Sequence, residues 1–525
     1  MTAFTGTTHL IRLILRRDRL RLLLWILGIA TLVGATAIAI IELYQSPKEI
    51  AGYASTADSA ATRLLSGRPE GLDSAGAITA YEISAVGLIA TALMVIFLVV
   101  RHTRAEEEAG RAELLRSTVL GRHAATLAAI TVAGAASVVV GALDAFLLAL
   151  SGLEVSGSLL HGAMLAGVGL VFTAVAAAAA QVTSSARGAS GIAGAVLAVL
   201  FVVRGIGDVG ENFLSWTSPL GWALLAQPYG EARWWLLVPM VGLAVVLLAL
   251  AAWLTAHRDA GAGMLAPRPG PARAGRSLGT STGLAWRLQR GSIYGWTVGL
   301  TLGGLIFGSV GPELDDMLES NPDMQAFFDM SGGDPVSAFL VTAFGLVAAV
   351  AGGFAVSSAL RLRSEESAGR AESLLSTAMS RTRWAGGSLL VTVVATTVAM
   401  VLVGVGAATG YALVADDWSR FGRMTAAAAA LSPGVLLLAG VAVLLLGWVP
   451  KFSGAAYALV VFAALQGYLG NLLDFPTWVQ ALSPFHHLPE MPVEDFAPIP
   501  VLVVLLLGLG LCALGVVGLR RRDLA

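Results

Sequence analysis

Apolar runs of about 18 residues or more recur along the whole chain, bounded by short segments holding Arg, Asp, Glu, Gly or Pro. As a helix rising 1.5 Å per residue, such a run crosses about 30 Å of hydrocarbon. Lipid offers the backbone no water to bond, so runs of this kind must be helical. The pattern predicts twelve spans, near 22–43, 83–100, 124–150, 158–182, 190–206, 234–255, 291–311, 338–360, 386–414, 425–449, 457–472 and 499–518. An all-α polytopic membrane protein is expected. Before the first span, Arg12, Arg16, Arg17, Arg19 and Arg21 stand among Leu and Ile, which predicts an interfacial amphipathic helix over residues 1–21.

Composition agrees with the pattern. The chain has 525 residues, 56% of them hydrophobic and 13% charged, with a mean hydropathy of +0.78. A soluble domain carries about 25% charged residues. The net charge of -1 is uninformative, but its distribution is not. With the N-terminus inside, the inner segments hold 26 of the 33 Lys and Arg residues and the outer segments 6; Arg204 lies within a span. By the positive-inside rule both termini and both elbows are expected on the cytoplasmic side of the membrane. Cys512, the single cysteine, excludes an intrachain disulfide.

Two polar stretches interrupt the apolar pattern in the same way. Arg104-Ala-Glu-Glu-Glu-Ala-Gly-Arg-Ala-Glu113 recurs as Arg363-Ser-Glu-Glu-Ser-Ala-Gly-Arg-Ala-Glu372, and 11 of the 15 positions from 104 to 118 match those from 363 to 377. Arg16-Arg-Asp-Arg19 lines up with Arg287-Leu-Gln-Arg290, and Ser218-Pro219 with Ser483-Pro484. The chain therefore reads as a parallel duplication. Residues 1–255 form the first six-span half and 286–525 the second, joined by a Pro- and Gly-rich linker over 256–285. A short interfacial helix is expected from Leu284 to Arg290.

Drawn as a continuous helix, each elbow places Glu106, Gly110 and Glu113 on one face, with Glu107 one turn before Arg111 in the favourable order for an ion pair. A glycine costs about 1 kcal/mol inside a helix. Its retention at 110 and 369 suggests the close approach of another backbone. Charge order and glycine kept in both halves point to docking on a partner, where mere solvation would require charge alone.

Within the spans, Asp144, Gln181 and Arg204 are expected to face the bundle interior. By helical rise Asp144 and Arg204 both fall in the outer half of the membrane, so an ion pair between them is geometrically open. In the second half Val403 and Gln466 take their places. Chemistry of other kinds is poorly supplied. Lys48 precedes Glu49 and Lys451 precedes Phe452, so no phosphate-binding Gly-Lys-Ser/Thr loop is present. No metal-ligand motif occurs, and nothing points to nucleic acid.

The duplicated Glu-Glu-x-x-Gly-Arg-x-Glu elbow, Gln181-Val-Thr-Ser-Ser-Ala-Arg-Gly188 and Ser218-Pro-Leu-Gly-Trp222 together resemble the ABC-2-type permeases of the polyketide antibiotic and multidrug exporter family. The resemblance spans essentially the whole chain. It implies a membrane subunit that is not itself an enzyme and holds no cofactor, driven by ATP and Mg in a separate ABC ATPase, two copies of which would dock. Glu106, Glu107, Gly110, Arg111 and Glu113 would form one coupling helix, and Glu365, Glu366, Gly369, Arg370 and Glu372 the other. Ser218, Pro219, Trp222, Ser483 and Pro484 would belong to two outer gates. The implied cargo is a hydrophobic or amphipathic compound such as an antibiotic. Glu108 becomes Ser367, and Ser-Pro-Leu-Gly-Trp becomes Ser483-Pro-Phe-His-His487, so the two copies depart from one another. The competing expectation is a proton-coupled secondary drug transporter with Asp144 as its relay.

Overall fold

Gly-rich seams and capped turns arrange the long helices into two compact units, Met1–Gly270 and Pro271–Ala525, each described by itself. The computed structural model describes residues 3–57, 60–111, 120–258, 263–264, 272–319, 334–473 and 476–523. Among these there is no β-strand, and eleven helices are long and apolar enough to cross a membrane. The chain is an all-α, multi-pass membrane protein. The expected span at 457–472 lies in a further helix, Ala456–Leu473.

The first unit contains α1 (Thr7–Leu43), the short α2 (Pro47–Thr56) and α3 (Ala60–Ser66), then α4 (Ala75–His102) and the elbow helix α5 (Arg104–Glu108). It continues through α6 (Ala124–Leu150), α7 (Val155–Val182), α8 (Ala186–Val209), α9 (Pro219–Leu225) and α10 (Leu237–His257). The small residues of α7 let it sit at the centre, packed on α4, α6, α8 and α10. At one crossing, Gly141 of α6 and Gly162 of α7 lie so close that a Cβ on either would strike the other's carbonyl.

The second unit comprises α11 (Ser281–Glu319), α12 (Pro335–Ala359), the elbow helices α13 (Arg361–Ser367) and α14 (Arg370–Leu375), α15 (Arg381–Ala415), α16 (Phe421–Ala430) and α17 (Ser432–Trp448). After α18 (Ala456–Leu473) come α19 (Thr477–Gln480) and α20 (Pro498–Arg521). The expected span 425–449 is divided between α16 and α17, where Pro433 in the first turn of α17 removes an amide from the ladder. Its tightest seam joins the first and third long helices. A Cβ on Gly304 or Gly308 of α11 would collide with the backbone of α15, as one on Gly406 or Gly410 would with α11.

The structure corrects two expectations about helix starts. Residues 1–21 do not form a separate interfacial helix; α1 runs unbroken from Thr7 for 37 residues, about 55 Å. No Gly or Pro interrupts it near Arg21, and its buried stripe of Leu10, Ile14, Asp18 and Leu22 continues to Ile29 and Val33. Likewise Leu284–Arg290 is the beginning of the 39-residue α11. Of the expected linker, 259–262 and 265–271 lie outside the described residues.

The seam makes a signed prediction. Gly410→Ala should destabilise the second unit by about 1–3 kcal/mol through overpacking. Gly303→Ala, which meets nothing within 4 Å, should be neutral or slightly stabilising, since alanine gains up to about 1 kcal/mol of helix propensity. Thermal unfolding in detergent distinguishes the two.

Candidate functional site at the paired elbows

Each elbow is a helix broken at its glycine. Gly110 and Gly369 both have φ of 70°, the left-handed conformation that a side chain disfavours. A Cβ at either position would meet nothing within 4 Å. The glycine is therefore kept for backbone handedness, and the expected close approach of another backbone is not its reason. The break also replaces the expected Glu107–Arg111 pair. With the chain turning at Gly110, Arg111 Nε donates to Glu106 Oε2 at 2.6 Å and Nη2 to Oε1 at 3.1 Å. Arg370 grips Glu365 through the same atoms at the same 2.6 and 3.1 Å. A guanidinium fork matched to a carboxylate is the strongest common form of such a bond. The bond from Glu106 raises the Arg111 guanidinium further above its ordinary value.

The second glutamate of each elbow has a different partner. Arg258, just past the end of α10, donates Nη2 to Glu107 Oε1 at 2.8 Å and Nη1 to Oε2 at 3.1 Å. Arg522, just past the end of α20, donates Nη1 to Glu366 Oε1 at 2.7 Å and Nη2 to Oε2 at 2.5 Å. In both units the last long helix is thus latched to the elbow. Sequence reasoning missed these arginines, although each follows the sixth apolar run of its half. It also missed Arg104, which is 1% exposed and binds the Ala180 carbonyl while pairing with Glu107 at 2.7 Å. Its counterpart Arg363 donates to Ser453 Oγ.

Gln181 joins the first latch, its Oε1 accepting from Arg258 Nε at 2.6 Å. Arg17 of α1 binds Glu106 Oε1 at 2.6 Å, and buried Asp18 meets His102 Nε2 at 2.6 Å. In the second unit Gln289, aligned with Asp18, bonds Ser358 and Ser388. A carboxylate that also pairs with Arg101 at 3.0 Å has given way to an amide held by two hydroxyls. Four predicted coupling residues, Glu106, Glu107, Glu365 and Glu366, are therefore occupied inside their own unit. The exposed tips are Glu108 to Arg111 and Ser367 to Arg370, with Glu372 also exposed. Glu113 lies outside the described residues. Glu108 accepts the Ala186 amide at 2.9 Å at the start of α8, a bond favoured at a helix N-terminus. Ser367 donates instead within its own turn, to the Ser364 carbonyl.

Beside the first elbow lies a cavity of about 80 Å³ whose walls include Leu13, Ile14, Arg17, Arg122, Ala125 and Arg258. The corresponding space in the second unit is about 20 Å³, where Trp384 stands at the position of Ala125. Among the described residues no group of His, Cys, Asp and Glu could hold a metal ion.

The expected Asp144–Arg204 pair does not form. Asp144 Oδ2 meets His161 Nδ1 at 2.7 Å. Arg204 instead binds Asp208 one turn on, at 3.2 Å, and the Leu65 carbonyl at 3.1 Å. Both residues are fully buried; each found a partner on a nearer element. Gln466 is half-buried on α18. At the end of each unit opposite the elbow, Ser218 caps α9, Pro219 is buried and Trp222 Nε1 donates to the Trp216 carbonyl at 2.6 Å. Ser483 and Pro484 are also buried, but Pro484 begins a 3₁₀ turn that Ser483 does not cap.

The family description "Multidrug efflux system permease Rv1217c, C-terminal domain" matches residues 8–255 and residues 278–520. The chain belongs to this permease family. It is 42% identical over 530 residues to the multidrug efflux system permease protein Rv1217c of Mycobacterium tuberculosis (strain ATCC 25618 / H37Rv), covering 99% of this chain and 96% of that protein. The family match falls once on each side of residues 256–277 and each stretch holds one elbow, in keeping with an internal repeat in an ABC-2-type permease.

Arg258→Gln and Arg522→Gln should each free an elbow from its last helix. Arg522→Gln strands the largely buried Glu366 carboxylate at a cost of about 3 kcal/mol, and Arg258→Gln should cost less because Glu107 keeps Arg104. Limited proteolysis of the intact protein should then cut the affected elbow faster. Unchanged cleavage in both variants would show that the latch does not hold the elbow.

Proposed function

We propose that this chain is the membrane-spanning subunit of an ATP-driven exporter of hydrophobic or amphipathic compounds, drugs and antibiotics among them. ATP and Mg would be held by a separate ABC ATPase, two copies of which dock, one on each elbow. The observation that carries the reading is the identical construction of the two elbows. In each, a left-handed glycine and a Glu–Arg fork hold out an exposed tip, and an arginine latch ties the base to the last long helix. A tip displaced by a partner would take α10 or α20 with it, so work delivered from outside reaches the spans of the same half. The name of the relative, a multidrug efflux permease, supports the cargo class.

The elbow ends are cytoplasmic in this proposal, because 26 of the 33 Lys and Arg residues belong to segments on that side. Both termini share it, and the Ser218–Trp222 and Ser483–Pro484 segments face outward as gates. Exported cargo would leave through the end that those segments close.

The tips allow a test that spares the internal locks. Ala109→Trp together with Ala368→Trp adds bulk at two exposed positions. Membrane insertion should be unchanged, while co-purification of an ATP-binding partner and drug export are both lost. Export that survives deletion of that partner and collapses with the proton gradient would establish the proton-coupled transporter instead.

A further inference from the structure

Beyond the elbows, the first unit buries a line of three polar side chains at its other end. Ser84 of α4, His161 of α7 and Asp144 of α6 are 7%, 2% and 0% exposed. Ser84 Oγ lies 3.1 Å from His161 Nε2, and His161 Nδ1 lies 2.7 Å from Asp144 Oδ2. The Gly141–Gly162 crossing brings α6 and α7 close enough for the second contact. Ser84 also lines a pocket of about 40 Å³ with Arg68, Glu70, Tyr81, Gln227 and Tyr229.

Hydrogen-bond accounting favours one placement of the protons, with the Ser84 hydroxyl turned to its own helix. Ser84 donates its single hydrogen to the Ala80 carbonyl, the usual bond of a hydroxyl within a helix. It must then accept from His161, so Nε2 carries a hydrogen. At 2.7 Å, Nδ1 and Oδ2 would set lone pair against lone pair unless a second hydrogen lies between them. That hydrogen leaves Asp144 and His161 uncharged as a pair. Their surroundings demand this, because Asp144 Oδ1 is buried with no hydrogen-bond partner, and an uncompensated carboxylate there would be costly.

We infer that Asp144, His161 and Ser84 form a proton-binding site in the first half, exchanging with the medium through the pocket that Ser84 lines. Discharge is balanced. Ser84 first turns its hydroxyl from Ala80 to the pocket, passes that hydrogen to water there as it takes the Nε2 hydrogen, and then points the new hydrogen back at the bare Nε2. The hydrogen between Nδ1 and Oδ2 settles on Nδ1. One proton leaves, and the pair acquires one negative charge.

Ionised side chains stand on the pocket wall and on α8: Arg68 and Glu70 line the pocket with Ser84, and the buried Arg204 and Asp208 of α8 pair with each other at 3.2 Å. From α1, Val33 and Ala37 close over Ile83 and Leu148. On α4, Tyr81 bonds the Ala57 carbonyl. On α6, Ser137 bonds its own helix, and on α7 Ser158 bonds the Tyr229 hydroxyl at 3.0 Å. Burial pushes that hydroxyl up to about 12, so it remains neutral. Glu154, at the start of α7, is exposed. The second half has Ala343 and Val403 at the positions of Ser84 and Asp144, so the site is not duplicated. A serine nucleophile is a poorer account of the same line. An Nε2 that carries hydrogen cannot act as a base, and Ser84 in mid-helix has no spare amide to hold an oxyanion.

Nitrogen-15 NMR of histidine in the full chain, embedded in lipid nanodiscs, tests the assignment, with the His161 signal identified by its loss in His161→Asn. Hydrogen on Nε2 near neutral pH is expected. Raising the pH should release one proton per chain more from the wild type than from Asp144→Asn, a neutral isostere. Ser84→Ala should keep the bound proton but slow its exchange with solvent. A neutral His161 with hydrogen on Nδ1 and a bare Nε2 would overturn the proposal. So would identical proton release in wild type and Asp144→Asn, or labelling of Ser84 by a fluorophosphonate. None of these readouts depends on an ATPase partner or on transport.

Discussion

A carboxylate gripped on both oxygens by an arginine from the far end of its own half is the contact on which each elbow depends. Glu107 and Arg258 are separated by most of the first unit in sequence, and Glu366 and Arg522 by most of the second. Side chains this far from water are poorly screened, so the pairs hold firmly once formed and are costly to open. The latch ties a polar turn between two spans to the last long helix of its own half.

The rest of each unit is closely packed around that contact. Lipid gives little hydrophobic reason for helices to associate, so close packing of small residues must supply it. The two halves solve the problem at different places. The first is tightest between α6 and α7 at Gly141 and Gly162, the second between α11 and α15 along Gly304, Gly308, Gly406 and Gly410. Divergence continues around the elbows themselves. Glu108 caps α8 while Ser367 turns back on its own helix, and Trp384 occupies space that Ala125 leaves open. The common elbow belongs to two differently packed bodies, and the polar line through Asp144 lies in the first.

Much of this was legible in the chain. Run length identified the long helices, because hydrocarbon thickness sets how many residues a span needs and leaves the backbone one way to satisfy itself. The repeat located both elbows, and charge order with a retained glycine marked them as more than solvated turns. What the chain left open were the partners. A linear pattern gives helical neighbours three and four residues apart, so it proposed Glu107 with Arg111; the left-handed turn at Gly110 moved that arginine onto Glu106. It gave depth along a span but not rotation about it, so Asp144 and Arg204 looked able to meet. Tertiary packing assigned them His161 and Asp208. Which residues cross the membrane was therefore decided by local hydrophobicity, a property of the sequence itself. Which charges are joined was decided only by the tertiary structure, because ion pairs depend on helix rotation and backbone handedness summed over long stretches of chain.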